Sequence, residues 1–261
     1  MYEQVLQMKK EAYGDGNSSV SSDRLISQKV SETCLTICNL ANLHSVQLVR
    51  VNEAKEALSW LRRAEFLSQG DYRCLAVTYN NIATCYNRIQ QPRTALKYLE
   101  MALEKERCLE DSNFQADTHL NMCAVFSQMG LHDLALHHAQ NAICIVQSSL
   151  LMTFLPDTKS NRKKERKKDK NFDDRGEKQV SDEMKNELKK ELKERISILC
   201  LAYHNLGVEQ EFLKMYVEAL ESYKLATQFS LKYFGPENAL YQNFKTVYDK
   251  VKAHRDQQIS K

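Results

Sequence analysis

Small and apolar residues recur along this chain at fixed offsets, and that recurrence limits the fold more than any other feature. In Tyr79, Ile82, Ala83, Tyr86, Ala95, Leu99 and Ala102 the offsets from the first residue are 3, 4, 7, 16, 20 and 23. His119, Met122, Cys123, Phe126, Ala135, Ala139 and Ala142 repeat them. Tyr203, Leu206, Gly207, Gln210, Ala219, Tyr223 and Ala226 do so again, with a polar Gln at the fourth place. A fourth copy lies upstream as Ile37, Leu40, Ala41 and His44, followed by Ala57, Leu61 and Ala64 after four inserted residues. Offsets of 3, 4 and 7 trace one apolar face of a helix, and the second cluster traces the facing helix of an antiparallel pair. The small residues mark where the two backbones approach closely.

The pattern resembles the tetratricopeptide repeat, whose signature is a large residue, a Leu-Gly or Leu-Ala pair, an aromatic, then Ala, a bulky residue and Ala. The resemblance covers about residues 31 to 233, apart from one insertion. Successive small residues at Ala41, Ala83 and Cys123 give repeats of 42 and 40 residues. Repeats of this length resemble those of the kinesin light chain. Tyr13-Gly14-Asp15-Gly16 and Phe234-Gly235-Pro236-Glu237 resemble the loops between that family's repeats. The resemblance implies an all-α fold, a right-handed superhelix (an alpha-alpha solenoid) closed by a C-terminal capping helix.

Composition agrees with helices stacked on one another. With 43% hydrophobic residues in 261, the chain can bury a core, and its 7 glycines and 3 prolines are too few for a strand-rich fold. Eight cysteines are scattered through helical segments without a leader sequence at the N-terminus, which reads as reduced thiols in a cytoplasmic protein. The most apolar stretch, Ala142 to Leu155, is broken by Gln147, Ser148 and Ser149 and is too short to span a bilayer, so no membrane insertion is expected.

Residues 1–23 read as a short helix and loop, 24–155 as three hairpins, 156–180 as a charged disordered insertion, 181–233 as a fourth hairpin and 236–261 as a capping helix and tail. Within the insertion, Asn161 to Lys170 holds seven basic and two acidic residues, a net of +5, while the whole chain carries only +3. So short a run without apolar residues has little to bury against the entropy of ordering. Its solvated reading stands beside contact with acidic surfaces. Interleaved acids and a lone Phe172 argue against nucleic acid as a partner. Ser181, with Asp182 and Glu183 behind it, reads as a helix start, and Glu191 with Arg195 as an i,i+4 pair.

No glycine cluster precedes a helix in the manner of a phosphate loop, and Cys34 and Cys38 lack a second ligand pair at zinc spacing, so neither cofactor nor metal is expected. His132, His137 and His138 project in different directions on a helix and read as surface or groove residues. An asparagine stands two residues before the small residue in every hairpin: Asn39, Asn81, Asn121 and Asn205. At about 100° per residue this position lies opposite the buried stripe of the first helix. With it go Leu35, Asn42 and Val46, then Val77, Thr84 and Arg88, then Asp117, Ala124 and Gln128, then Leu201, Val208 and Phe212. An amide both donates and accepts, so a row of them can hold a peptide backbone or bridge neighbouring helices. The kinesin light chain resemblance implies the former, with the asparagines lining a concave groove. Only Arg88 is cationic among these positions, which argues against the acidic tails that chaperones offer to other such repeats. The reading is a non-enzymatic scaffold or adaptor that takes an extended or helical partner segment in this groove, at Asn39, Asn42, Asn81, Thr84, Arg88, Asn121, Gln128, Asn205 and Phe212. Its alternatives are an obligate subunit of a large cytoskeletal or ciliary assembly, and an enzyme with a Cys/His site assembled in space.

Overall fold

The computed structural model describes residues 53–68, 70–109, 113–154 and 174–259, without side-chain detail at 113–114, 153–154, 174–185 and 257–259. Among them run eight α-helices and no strand. The chain divides into two compact units, Met1–Phe114 and Gln115–Lys261.

The first unit contains α1 (Ala54–Leu67), α2 (Tyr72–Arg88) and α3 (Pro92–Glu106). The Asp71 carboxylate accepts from the Cys74 N–H at 3.0 Å and caps α2. Pro92 opens α3 at a position where its missing N–H costs nothing. Ala57, Leu61, Ile82, Cys85 and Ala102 are fully buried, and the Tyr86 and Tyr98 rings stack at 5.5 Å across the α2–α3 hairpin.

α4 (Asn113–Gln128) starts at the boundary, and the second unit continues with α5 (His132–Phe154), α6 (Asp174–Phe212), α7 (Tyr216–Phe234) and α8 (Ala239–Ile259). One core joins Ala135, Ala139 and Ala142 of α5, Leu199, Cys200 and Leu206 of α6, Ala226 of α7 and Phe244 of α8. The Arg195 guanidinium pairs with Glu191 as the spacing predicts and also donates to the Ser149 carbonyl at 3.3 Å, tying α6 to α5. Asn238 accepts from the Leu240 N–H at 2.9 Å at the start of α8, whose Tyr241 and Phe244 are buried.

The repeat is visible residue by residue. Positions 81–100 and 121–140 show the same succession of buried, half-buried and exposed side chains except at 94 and 134. Each hairpin turns on one residue at positive φ, Gln90 at 61°, Gly130 at 73° and Lys214 at 62°. After it, the N–H of Gln91, Leu131 or Met215 donates to the carbonyl of Tyr86, Phe126 or Gln210 at 2.8–2.9 Å. This left-handed helix ending satisfies carbonyls that would otherwise lack a donor.

Two expectations need correction. α6 begins at Asp174 rather than Ser181, so Ser181 lies inside the helix and not at its start. The Glu and Lys that mark 174–190 as charged are also strong helix formers, and they carry the helix back into the insertion. Cys85, Cys108, Cys123, Cys144 and Cys200 are free, but Cys74 is disulfide-bonded. Scatter along the sequence does not tell which Cβ atoms meet in space. Cys34, Cys38, hairpin one's first helix and the basic run Asn161–Lys170 lie outside the described residues.

Candidate functional site

The face opposite the apolar stripe can be followed on α2 in the first unit and on α4 and α6 in the second. On α2, Val77, Thr84 and Arg88 are exposed and Asn81 is half-buried. The Thr84 hydroxyl donates to the Asn80 carbonyl at 3.0 Å, within its own helix. On α4, Ala124 and Gln128 are exposed and Asn121 is half-buried. On α6, Leu201 and Phe212 are exposed, and Asn205 and Val208 are half-buried. Asn81, Asn121 and Gln128 are each engaged by a neighbouring group, so these amides are not idle. Asn39 and Asn42 lie outside the described residues.

In the second unit these faces border an open pocket of about 350 Å³ between α4 and α6. Ala124, Gln128, Asn205 and Val208, all positions on the expected face, line it together with Cys123, Ser127 and Glu209. Glu209 is the residue that the spacing argument missed. Its register position is Cys85 in the α2–α3 hairpin and Val125 in the α4–α5 hairpin, both buried, and Glu209 is itself only 2% exposed. A charged residue standing where the other copies place a core residue is the signal that could have found it. His132 sits at the first position of α5 with its Nδ1 2.8 Å from Glu209 Oε2, an N–H donation to the carboxylate. Phe212 lies parallel to the His132 ring, centroids 4.1 Å apart and planes 7° apart. That stack orients the imidazole on the carboxylate while Phe212 stays 60% exposed.

The other histidines have different surroundings. His138 stacks on Phe126 at 5.2 Å, and its Nδ1 lies 2.8 Å from His119 Nδ1. Burial, then the neighbouring His119 and His137, push His138 down to about 4. His137 is exposed and lies 3.2 Å from the Asn141 amide nitrogen. Among the described residues no group of three ligating side chains is placed to hold a metal ion.

Burial raises the thiols of Cys85 to about 11 and of Cys123 and Cys200 to about 12, with the Glu209 charge adding to the shift at Cys123. A nucleophilic cysteine needs the opposite environment, one that favours the thiolate. No described helix is long and apolar enough to cross a membrane.

No family model matches the sequence, and no curated protein matches it. The fold does match solved structures. One is a protein of Podosopora anserina assigned to the kinesin light chains and carrying nearly identical TPR-like repeats: 10% identity, TM-score 0.55, covering 85% of this chain and 88% of that one. Another is BtubC (BKLC) of P. vanneervenii: 16% identity, TM-score 0.50, covering 99% of this chain and 89% of that one. At such identities the likeness concerns the fold alone, and it joins the repeat register seen in the α2–α3, α4–α5 and α6–α7 hairpins. The chain has the all-α, tetratricopeptide-repeat fold, similar to the repeats of kinesin light chain proteins.

Proposed function

We propose that the chain is a non-enzymatic interaction module, a scaffold or adaptor that binds an extended or helical segment of a protein partner on the asparagine face of its repeats, at Asn121 and Asn205 in the second unit, with Asn81 at the corresponding position of the first. The observation that carries this reading is the pocket between α4 and α6, where the Gln128 and Asn205 amides lie beside the apolar Ala124 and Val208. Amides that donate and accept suit a peptide backbone, while the apolar patches suit its side chains. Phe212 extends the surface at the end of α6, and in the first unit Thr84 and Arg88 stand with Asn81 on the corresponding face of α2. Asn39 and Asn42 would continue it on the first hairpin.

A second reading, permanent membership of a cytoskeletal or ciliary assembly, draws support from the apolar side chains left open around the α6–α7 turn. Phe212, Tyr216 and Val217 are each more than half exposed, and contiguous apolar surface of this kind is commonly covered by a partner. Proximity labelling in the native cell, followed by an array of peptides from the labelled proteins, tests the first reading. The module should retain a subset of peptides, and retention should fall in Asn121→Ala. Labelling confined to one large complex, with the chain insoluble when expressed alone, would support the obligate subunit instead.

A further inference from the structure

We propose that the pocket between α4 and α6 receives a cationic side chain, the lysine or arginine of a partner segment, with Glu209 as its counter-charge. This rests on the reading of the face as a peptide-binding surface and names the chemistry that it selects.

A carboxylate in a core register position has to be explained, since withdrawing it from water is costly unless a partner compensates. Glu209 has one such partner, His132 on Oε2 at 2.8 Å, with a Glu209 side chain 3% exposed. His132 engages Oε2 only, so Oε1 is left to accept from a guest. Glu209 also lines a pocket in which the Ser127 hydroxyl and the Asn205 amide carbonyl can accept from an ammonium or guanidinium. Among the described residues that line the pocket, none is a lysine or arginine.

The surroundings suit the rest of such a side chain. Ala124 and Val208 give apolar walls for its methylenes. Phe212, one turn beyond Val208, has one ring face covered by His132, and its 60% exposure leaves aromatic surface for the stem of such a side chain. The equivalent positions in the α2–α3 and α4–α5 hairpins hold Cys85 and Val125. The charge selectivity therefore belongs to α6 and is absent from the plain repeat.

The test is retention of the full chain on an immobilised library of seven-residue peptides whose central residue is Lys, Arg, Gln, Glu or Leu and whose flanks are random. Central Lys or Arg should be enriched at least about tenfold over Gln, the size expected when a hydrogen bond gains an ionic partner. Glu209→Gln keeps the shape and the His132 contact and should bring that ratio to about one, while peptides are still retained. Gln128→Lys places a cation beside Glu209 from an exposed position and should abolish the preference in the same way, even if Glu209→Gln folds poorly. Retention without a basic preference, or a preference that survives both variants, overturns the proposal and leaves the peptide-binding face standing. Failure to retain any peptide overturns both. Displacement of the basic peptides by free n-butylammonium at equal concentration would assign the pocket to a small amine and overturn the partner segment as its occupant.

Discussion

The α2–α3 and α6–α7 hairpins share a turn, a register and an alanine at the same position, yet they fill their interiors differently. In the first, Ala83 and Leu99 are buried, and Tyr86 stacks on Tyr98. In the second, the equivalents of Ala83 and Leu99 are Gly207 and Tyr223. A Cβ added at Gly207 would meet the Tyr223 ring at 2.8 Å. Volume removed from one helix is returned by the other. The equivalents of Tyr86 and Tyr98 are Gln210 and Ser222, both buried, and the Ser222 hydroxyl donates to Gln210 Oε1 at 2.7 Å. A ring stack has been replaced by a satisfied hydrogen bond, which is how a polar residue can stand at an apolar place. The repeat thus fixes where side chains meet and leaves open what chemistry meets there. Glu209, beside Gln210, takes that freedom furthest.

The alanines shared by all three hairpins are the points where least variation should be tolerated. Ala95, Ala135 and Ala219 are each 0% exposed. Ala95→Phe should overpack the hairpin and cost roughly 1–3 kcal/mol or more. An unchanged melting midpoint would break the register on which the comparison rests. Gly207→Ala comes next, at roughly 1–2 kcal/mol by the same mechanism. Adding Tyr223→Leu recreates the Ala83 and Leu99 pair and should recover part of the loss, although it gives up the Tyr223 hydroxyl's 2.5 Å donation to Glu211. If the double variant is no better than the sum of the two single ones, the volumes are not exchanged between these positions.

The α4–α5 hairpin sharpens the comparison through pH. His138 occupies the place of Tyr98, and burial followed by His119 and His137 holds it at about 4. Below its ordinary value near 6.5, the unfolded chain binds a proton that the folded chain refuses, so stability is lost as pH falls from about 6.5 towards 4. The loss should reach about 2 kcal/mol near pH 5, and His204, also lowered by burial, acts in the same direction. His138→Tyr should flatten that part of the melting-midpoint profile. A profile as steep as that of the parent would place the acid sensitivity elsewhere. The smallest effect belongs to the turns. Gly130 adopts φ of 73° freely, whereas Gln90 and Lys214 adopt nearly the same φ with a side chain. Lys214→Gly should stabilise by about 0.5–1 kcal/mol and Gly130→Ala should destabilise by a similar amount, read in paired thermal melts.

Much of the fold was legible because helix pairing writes itself into small residues. Ala83, Cys123 and Gly207 are small where their helices approach, and all three are buried. The outward face of each first helix followed from the same angle, and Gln128, Asn205 and Val208 meet around one pocket. Glu209 stayed hidden because the pattern tracked offsets 3, 4 and 7, while the buried stripe also includes offset 6, where Cys85 and Val125 lie. His132 looked like a surface residue because its partner is 77 positions away in the chain. The start of α6 was misplaced because a charged, helix-forming segment has the composition of a linker until its propensity is added up.

The central claim is that the asparagine face binds the partner and does not serve to hold helices together. Asn121 and Asn205 lie on α4 and α6 of one unit, so the double variant Asn121→Ala and Asn205→Ala tests it most directly. Retention on the peptide library should be measured beside a thermal melt of each protein. Each amide contributes one or two hydrogen bonds of roughly 0.5–1.5 kcal/mol, so retention should fall several-fold to about a hundredfold. The melting midpoint should stay within about 2 °C of the parent, since the better helix propensity of alanine offsets the contact that Asn121 gives up. Unchanged retention, or a lowered midpoint with retention intact, would contradict the account.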